Sequence, residues 1–397
     1  MHTMFSKRLL RWIAWLCVLS MLLTGCAGAP AATTAPGVTT APTARPTLAP
    51  AATTTPAATI MPTGDPAQTP ATGAYWPTEG WRTSTPEAQG MDSQKLAQML
   101  AAVEEQKLAL HSLLIVRNGY LVSETYFGSY QQDTLHIQYS CTKSFVATLI
   151  GIAMDKGYID RTDRNVLDFF PESTFENPDD RKKAMTLDDL LTMRSGLDWE
   201  EGDPAYRAMY QSSNWVKFVL DLPMASQPGS EFNYCSGCSH VLSAILQQTT
   251  GMSSRDFAEK TLFEPLGISK VRWEADAKGI SIGGWGLQIT PRDMAKLGYL
   301  YLHNGQWDGQ QIVSAEWVRN ATQQHTGTGG DVLGYGYQWW TYPSLAAYTA
   351  LGRDGQTIFV IPDADLIVVT TAAIGGHDEI FQLIEQYVVP AVNAVHE

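Results

Sequence analysis

Cysteine, charge and long apolar runs are all scarce. Five cysteines in 397 residues exclude a disulfide-dense mini-protein. Charged residues make up 17%, and Lys and Arg (27) are outnumbered by Asp and Glu (40). Residues 1–75 hold Lys7, Arg8, Arg11 and Arg45 against Asp65, leaving 23 basic against 39 acidic residues, or −16, in residues 76–397. No long basic run interrupts that acidic body, which repels phosphates, so nucleic acid is excluded as a partner. No series of long apolar segments is present, which excludes a polytopic membrane protein. The 44% of hydrophobic residues suffices for a real core and excludes a wholly disordered chain. The length corresponds to one large domain or two to three ordinary ones.

The first residues read as an export signal. Lys7, Arg8 and Arg11 are positive, and Leu9 to Leu23 is a short apolar run containing Arg11. It is shorter than the roughly 20 residues a spanning helix needs. It ends in Leu23-Thr24-Gly25-Cys26, which resembles a bacterial lipoprotein lipobox. That resemblance implies a signal peptide over 1–25, cleavage before Cys26, lipidation of its thiol and an extracytoplasmic, membrane-anchored protein. A plain signal peptide with an incidental Cys, or an uncleaved anchor, stays open. Residues 26–75 are rich in Ala, Thr and Pro, with nine of the 21 prolines between Pro30 and Pro70. Such a segment buries too little apolar surface to offset its ordering entropy, and proline makes it a stiff spacer, so a tether is expected.

The body, residues 76–397, is expected to be α/β. Asp92 or Ser93 caps a helix running to about Lys107, with Leu96, Met99, Leu100 and Val103 on one face. Asn118-Gly119 between Leu113–Val116 and Tyr120–Val122 signals a two-residue hairpin. Thr142 to Met154 is apolar with helical period. Residues 158–275 are helical patches broken by prolines, Thr290 to Leu302 is another capped helix, and strands are predicted at Tyr335–Trp340, Ala346–Leu351, Thr357–Ile361 and Leu366–Thr371. A last helix runs from about Asp378 to Val395. This order implies an antiparallel sheet built from both chain ends and flanked by helices, with an all-helical subdomain, about 158–280, inserted between them.

Ser140-Cys141-Thr142-Lys143 opens a predicted helix. Residues three apart share a helix face, so the Ser hydroxyl and Lys amine can meet. Burial disfavours the ammonium and lets the amine take the hydroxyl proton. A helix N-terminus also offers N–H groups to an oxyanion. Alone, Ser-x-x-Lys is weak, with roughly one chance match per chain of this length. The plain reading is an N-cap Ser140 and a solvated Lys143. Phe145, Val146, Leu149 and Ile150 argue against it, because a helix apolar nearly all round is buried.

Tyr139-Ser-Cys-Thr-Lys-Ser-Phe145, continued by Leu149 to Gly157, resembles the nucleophile helix of the serine β-lactamase and penicillin-binding-protein superfamily, closest to its class C-like esterase and amidase branch. The likeness continues through Thr186–Leu197, Pro228–Tyr234, Phe263–Gly267, Thr290–Gly298 and Gly334–Trp340, and covers nearly all of residues 80–395. It implies Ser140 as nucleophile and Tyr234 as the phenolic partner of Lys143. Ser236 stands where the family has Asn after that Tyr, a departure similar to the 6-aminohexanoate-dimer hydrolase branch, which acts on linear amides. The family's Lys-Thr-Gly strand is absent, and Ala350 to Gln356 takes its place. Gly352 aligned with the family glycine puts the Arg353 N–H beside that of Ser140 in the oxyanion hole, whereas a shifted register puts Gln356 there. Ser236, Gly352, Arg353 and Tyr206 are the expected substrate-binding residues. No metal or cofactor is implied. The expected partner is a small ester, amide or peptide, and no Glu-x-x-Leu-Asn segment supplies a deacylation base.

Other readings stand beside this one. β-Lactamase, D-alanyl-D-alanine carboxypeptidase and a penicillin sensor without turnover belong to the same superfamily. Gly279-Ile-Ser281-Ile-Gly283, followed by Asp354 or Asp365 and His377, matches an α/β-hydrolase nucleophile elbow in chain order. That elbow needs a strand before Ser281 and a helix after it. Cys235 and Cys238 form either a local disulfide or two thiols, and with Cys141 an odd number remains in the body. Asp198, Glu200, Glu201 and Asp203, with Trp199, Tyr206 and Tyr210, form either a solvated loop or an acidic cleft rim that favours amine-bearing substrates.

Overall fold

Asn118 and Gly119 both adopt left-handed backbone angles, φ 52° and 73°. That pair makes the tight turn whose twist matches a hairpin, and it joins β1 (Leu110–Arg117) to β2 (Tyr120–Tyr126). The structure is a computed structural model that describes residues 75–330 and 332–393. The expected signal peptide, Cys26 and the tether before Tyr75 lie outside the described residues.

Before the hairpin runs α1 (Ser93–Glu105), capped by Asp92, whose carboxylate accepts the Gln94 N–H at 2.8 Å. After it come β3 (His136–Ile137), a 3₁₀ turn at Tyr139–Cys141 and α2 (Thr142–Asp155). The inserted part carries α3 (Asp180–Ala184), α4 (Leu187–Leu191), α5 (Ala205–Gln211), α6 (Trp215–Asp221), α7 (Ser236–Thr250), α8 (Ser254–Ala258) and α9 (Glu264–Leu266). Then follow β4 (Arg272–Trp273), β5 (Leu287–Ile289), α10 (Pro291–Leu302), β6 (Gln306–Trp307), β7 (Gln310–Gln311) and α11 (Ala315–Thr322). The chain closes with β8 (Thr326–Gly327), β9 (Gly334–Tyr335), β10 (Trp340–Tyr342), β11 (Ala347–Gly352), β12 (Gln356–Ile361), β13 (Leu366–Ala372), α12 (Asp378–Leu383) and α13 (Val389–Asn393).

Both chain ends share one antiparallel sheet, as expected. Its order is β2-β1-β13-β12-β11-β10-β9-β8, and β1 meets β13 with Ile115 opposite Val368. Alternate residues serve opposite faces. Leu113 and Ile115 pack with Leu96 and Met99 of α1 and Ile380 and Ile384 of the C-terminal helices. Leu114 and Val116 pack in the core that holds Phe145 and Leu149 of α2 and Leu297 of α10. Every residue from Thr142 to Ala153 is buried, which is why α2 shows no polar stripe.

Three expectations need correction. The segment Tyr335–Trp340 is two strands, not one. The chain turns at Gln338 (φ 57°), whose buried amide donates to the Leu190 and Leu191 carbonyls and pins the turn to α4. The inserted part is not wholly helical, because β4 pairs with β5 in a small sheet ordered β3-β5-β4. Ser140 lies on the 3₁₀ turn before α2 rather than on the α-helix itself.

Candidate active site

Tyr139 has φ 44°, a left-handed conformation that costs a non-glycine residue about 1 kcal/mol or more. This strained residue precedes Ser140 and turns the chain from β3 into α2. Gly352, at the end of β11, packs against the same turn. A Cβ there would lie 2.2 Å from the Gln138 carbonyl oxygen and 3.2 Å from the Cys141 nitrogen. Only glycine lets the strand come this close.

Lys143 is 1% exposed. Its Nζ lies 2.9 Å from Ser140 Oγ, 2.9 Å from Ser236 Oγ and 2.8 Å from the Gly284 carbonyl oxygen. Burial pulls its ammonium down from the ordinary value of 10.5 to about 8, against the opposing pull of the Glu201 carboxylate. The Tyr234 ring faces Nζ with its centroid 4.8 Å away and stacks on Trp340 at 5.6 Å. Burial pushes the Tyr234 phenol up, and the nearby Ser140 hydroxyl works the other way. Ser140, Lys143 and Tyr234 therefore meet. A hydroxyl facing an amine of lowered pKa can lose its proton at near-neutral pH, and an adjacent phenol can relay it.

Ile137, Tyr139, Ser140, Tyr206, Tyr210, Glu274, Trp285 and Arg353 line a cavity of about 350 Å³. Arg353 is exposed there, its guanidinium 5.9 Å from the Tyr139 ring centroid. Gln356 is buried behind the wall, its amide donating to the Arg353 and Ala372 carbonyls. Tyr206 is on the wall. Ser236, expected at the substrate, is fully buried behind Lys143. Its hydroxyl meets Lys143 and donates to Glu201 Oε1 at 2.5 Å.

Three features of the site were not singled out in the sequence. Glu201 reaches Ser236 across 35 residues of chain, and the Gly284 carbonyl reaches Lys143 across 141. Glu274 and Trp285 join the wall from the loops around β4. Nothing at the sequence level distinguishes Glu201 from its acidic neighbours. The Gly283-Gly284 pair was the available signal for close backbone approach.

The nucleophile-elbow reading fails on geometry. Ser281 lies between β4 and β5 with no helix after it. Its hydroxyl accepts the Arg255 N–H at 3.1 Å, and it is 2% exposed. His377 faces the Gln356 carbonyl instead, at 3.4 Å. Cys235 and Cys238 are joined in a disulfide, and Cys141 is a buried free thiol that burial pushes up. Among the described residues no three His, Cys, Asp or Glu side chains converge as a metal site.

A family model for beta-lactamases matches residues 87–387. The chain belongs to the beta-lactamase family. It is 25% identical over 317 residues to the 6-aminohexanoate-dimer hydrolase of Paenarthrobacter ureafaciens, covering 72% of this chain and 79% of that one. Solved structures share the fold. The octameric penicillin-binding protein homologue from Pyrococcus abyssi superposes with TM-score 0.60 at 19% identity, over 76% of this chain and 77% of that one. A family VIII carboxylesterase gives 0.60 at 18% identity, over 77% and 99%. This beta-lactamase-family protein is thus a serine hydrolase.

Proposed function

We propose that this protein is an exported, lipid-anchored hydrolase that opens short-chain esters or linear amides through an acyl-enzyme on Ser140. The observation that carries the reading is the buried Lys143 amine, depressed to about 8 and 2.9 Å from Ser140 Oγ. Lys143 takes the Ser140 proton as Oγ bonds to the carbonyl carbon. The carbonyl electron pair moves to oxygen, where the N–H groups of Ser140 and Arg353 hold it. As the tetrahedral adduct collapses, Tyr234 gives its proton to the leaving group and regains one from Lys143, which returns both side chains to their starting state. Water then resolves the acyl-enzyme.

The substrate class is supported by the amide hydrolase among the relatives and by the walls of the cavity. Glu274 and the aromatic rings of Tyr206, Tyr210 and Trp285 suit a neutral or amine-bearing acyl group. A second reading, β-lactam or D-alanyl-D-alanine cleavage, is favoured by one observation: the Arg353 guanidinium lines the cavity and can hold a carboxylate.

A paired measurement separates them. Ser140→Ala is expected to abolish turnover and fluorophosphonate labelling, and Ser281→Ala to keep both. With no Lys-Thr-Gly cation present, p-nitrophenyl butyrate should exceed nitrocefin in kcat/KM on one sample. Each missing charge-assisted contact costs a β-lactam about 1.5–3 kcal/mol, roughly tenfold or more. A clear win for nitrocefin that Arg353→Ala removes would establish the second reading. Acylation without turnover would make the protein a sensor.

A further inference from the structure

Lys143 is held by three oxygen atoms, and they differ in what they can do. The Gly284 carbonyl only accepts. The Ser140 and Ser236 hydroxyls can each accept or donate. An ammonium donates to all three. Once Lys143 is neutral it has two N–H groups and one lone pair, and the lone pair must face a hydroxyl that donates. If Ser236 donated to it, Ser140 would face an N–H and could not be deprotonated.

Glu201 removes that ambiguity. Its carboxylate accepts on both oxygens. Oε1 takes the Ser236 hydroxyl at 2.5 Å and the Tyr206 hydroxyl. Oε2 takes the Trp199 indole N–H at 2.6 Å and the Ser236 backbone N–H at 3.0 Å. An ionised carboxylate has about four acceptor sites and no donor, and all four are filled. The Tyr206 hydroxyl also lies 3.0 Å from Ser236 Oγ, but the carboxylate oxygen is nearer at 2.5 Å, so the proton of Ser236 is committed to Glu201 and its oxygen accepts, from Lys143 and from Tyr206. The remaining lone pair of Lys143 is left to the Ser140 hydroxyl.

We infer that Glu201 is a positioning residue, which acts through Ser236 to aim the neutral Lys143 lone pair at Ser140. The inference rests on the proposed nucleophile and adds a polarity to its base. It gives Ser236 a function although it sits behind Lys143, away from the substrate. The charged or titratable groups facing Lys143 are Glu201, Arg353, Cys141 and Tyr234. Glu201 and Tyr206 both reach it through the Ser236 hydroxyl, and Glu201 is the one carboxylate that does.

The test is Glu201→Gln in the full-length protein. A glutamine can keep its oxygen on the Trp199 and Ser236 N–H groups, and its NH₂ then donates to Ser236. That reverses the Ser236 hydroxyl and lets it occupy the Lys143 lone pair. The readout is the rate of fluorophosphonate labelling of Ser140 across pH, with the labelled residue located by mass spectrometry. Two changes are expected together. The high-pH plateau falls by on the order of ten- to a hundredfold. The acid limb moves to lower pH, because removing a carboxylate lowers the Lys143 pKa. A purely electrostatic role for Glu201 predicts the limb shift with an unchanged plateau, and so a higher rate at pH 7. That result, or an unmoved limb, overturns the inference.

Ser236→Ala supplies the second arm. If Glu201 works through Ser236, Glu201→Gln has little further effect on the plateau once Ser236 is Ala. Losses that multiply in the double variant overturn the route. Wild-type protein that takes no label at Ser140 would undo the parent reading, and this inference with it.

Discussion

Lys143 shows how a single residue serves chemistry at the expense of stability. Its ordinary value is 10.5, and the folded protein holds it at about 8. Between those values the unfolded chain keeps a proton that the folded chain has released, so stability rises with pH across that window. Below pH 8 the fold carries the full cost of a charged amine at a buried site. The unfolding free energy of wild type minus that of Lys143→Met should therefore rise from pH 8 to 10.5, by up to about 3 kcal/mol. Urea denaturation of both proteins at several pH values checks this, and a flat difference would refute a depressed Lys143. The activity limb should rise with pH around 8 for the same reason. Ser140 and Lys143 were legible because three-residue spacing brings them together locally. The likeness to a known family added Tyr234. Glu201 was not legible. Asp198, Glu200 and Glu201 are all exposed and Asp203 pairs with Arg207, but Glu201 alone of the four bonds to Ser236. That distinction exists only in the folded chain.

The elements that followed from local pattern are those whose cause is local. The Asn118-Gly119 hairpin, the Asp92 cap and the all-round apolar α2 each follow from residues close together in sequence. The Tyr335–Trp340 segment failed because its break is tertiary: a non-glycine residue is turned left-handed to bring a buried amide against α4. The Gly-x-Ser-x-Gly motif failed for a related reason. Its last glycine is there for packing against α7, not for an elbow. A Cβ on Gly283 would lie 2.0 Å from the Ser239 carbonyl oxygen and 3.0 Å from His240 Cα, both backbone atoms of α7. No rotamer change relieves that contact, so Gly283→Ala must move the loop or the helix. Overpacking of this kind costs about 1–3 kcal/mol. The next residue, Gly284, supplies the carbonyl that holds Lys143, so kcat should fall along with thermal stability. Gly376→Ala, where a Cβ meets nothing within 4 Å, is the control and should leave both near wild type. A Gly283→Ala protein with unchanged melting temperature and kcat would mean that the loop does not press on α7.

At the scale of the whole molecule, the sheet joining both chain ends was legible because its strands carry the hydrophobic runs and the hairpin signal. The beta-lactamase domain is one functional piece, and the reading of residues 1–75 is independent of it. Every residue of the candidate site falls between Ile137 and Arg353. The positive start, the short apolar run and Cys26 belong to a different physical problem, which is where the enzyme is held. A single lipid chain binds a membrane only marginally, and stable anchoring takes more than one. The proposed lipoprotein therefore predicts acylation at Cys26 heavy enough to keep all activity with the membrane fraction. Cys26→Ser should remove the lipid and move the protein out of that fraction, while kcat/KM on a soluble ester stays at the wild-type value, because Cys26 is no part of the site. Fractionation gives the location, and mass spectrometry of the native N-terminus gives the modification. An unmodified Cys26, or a Cys26→Ser protein that still sediments with membranes, would show that the apolar run from Leu9 to Leu23 is itself the anchor or that the protein is held by another route.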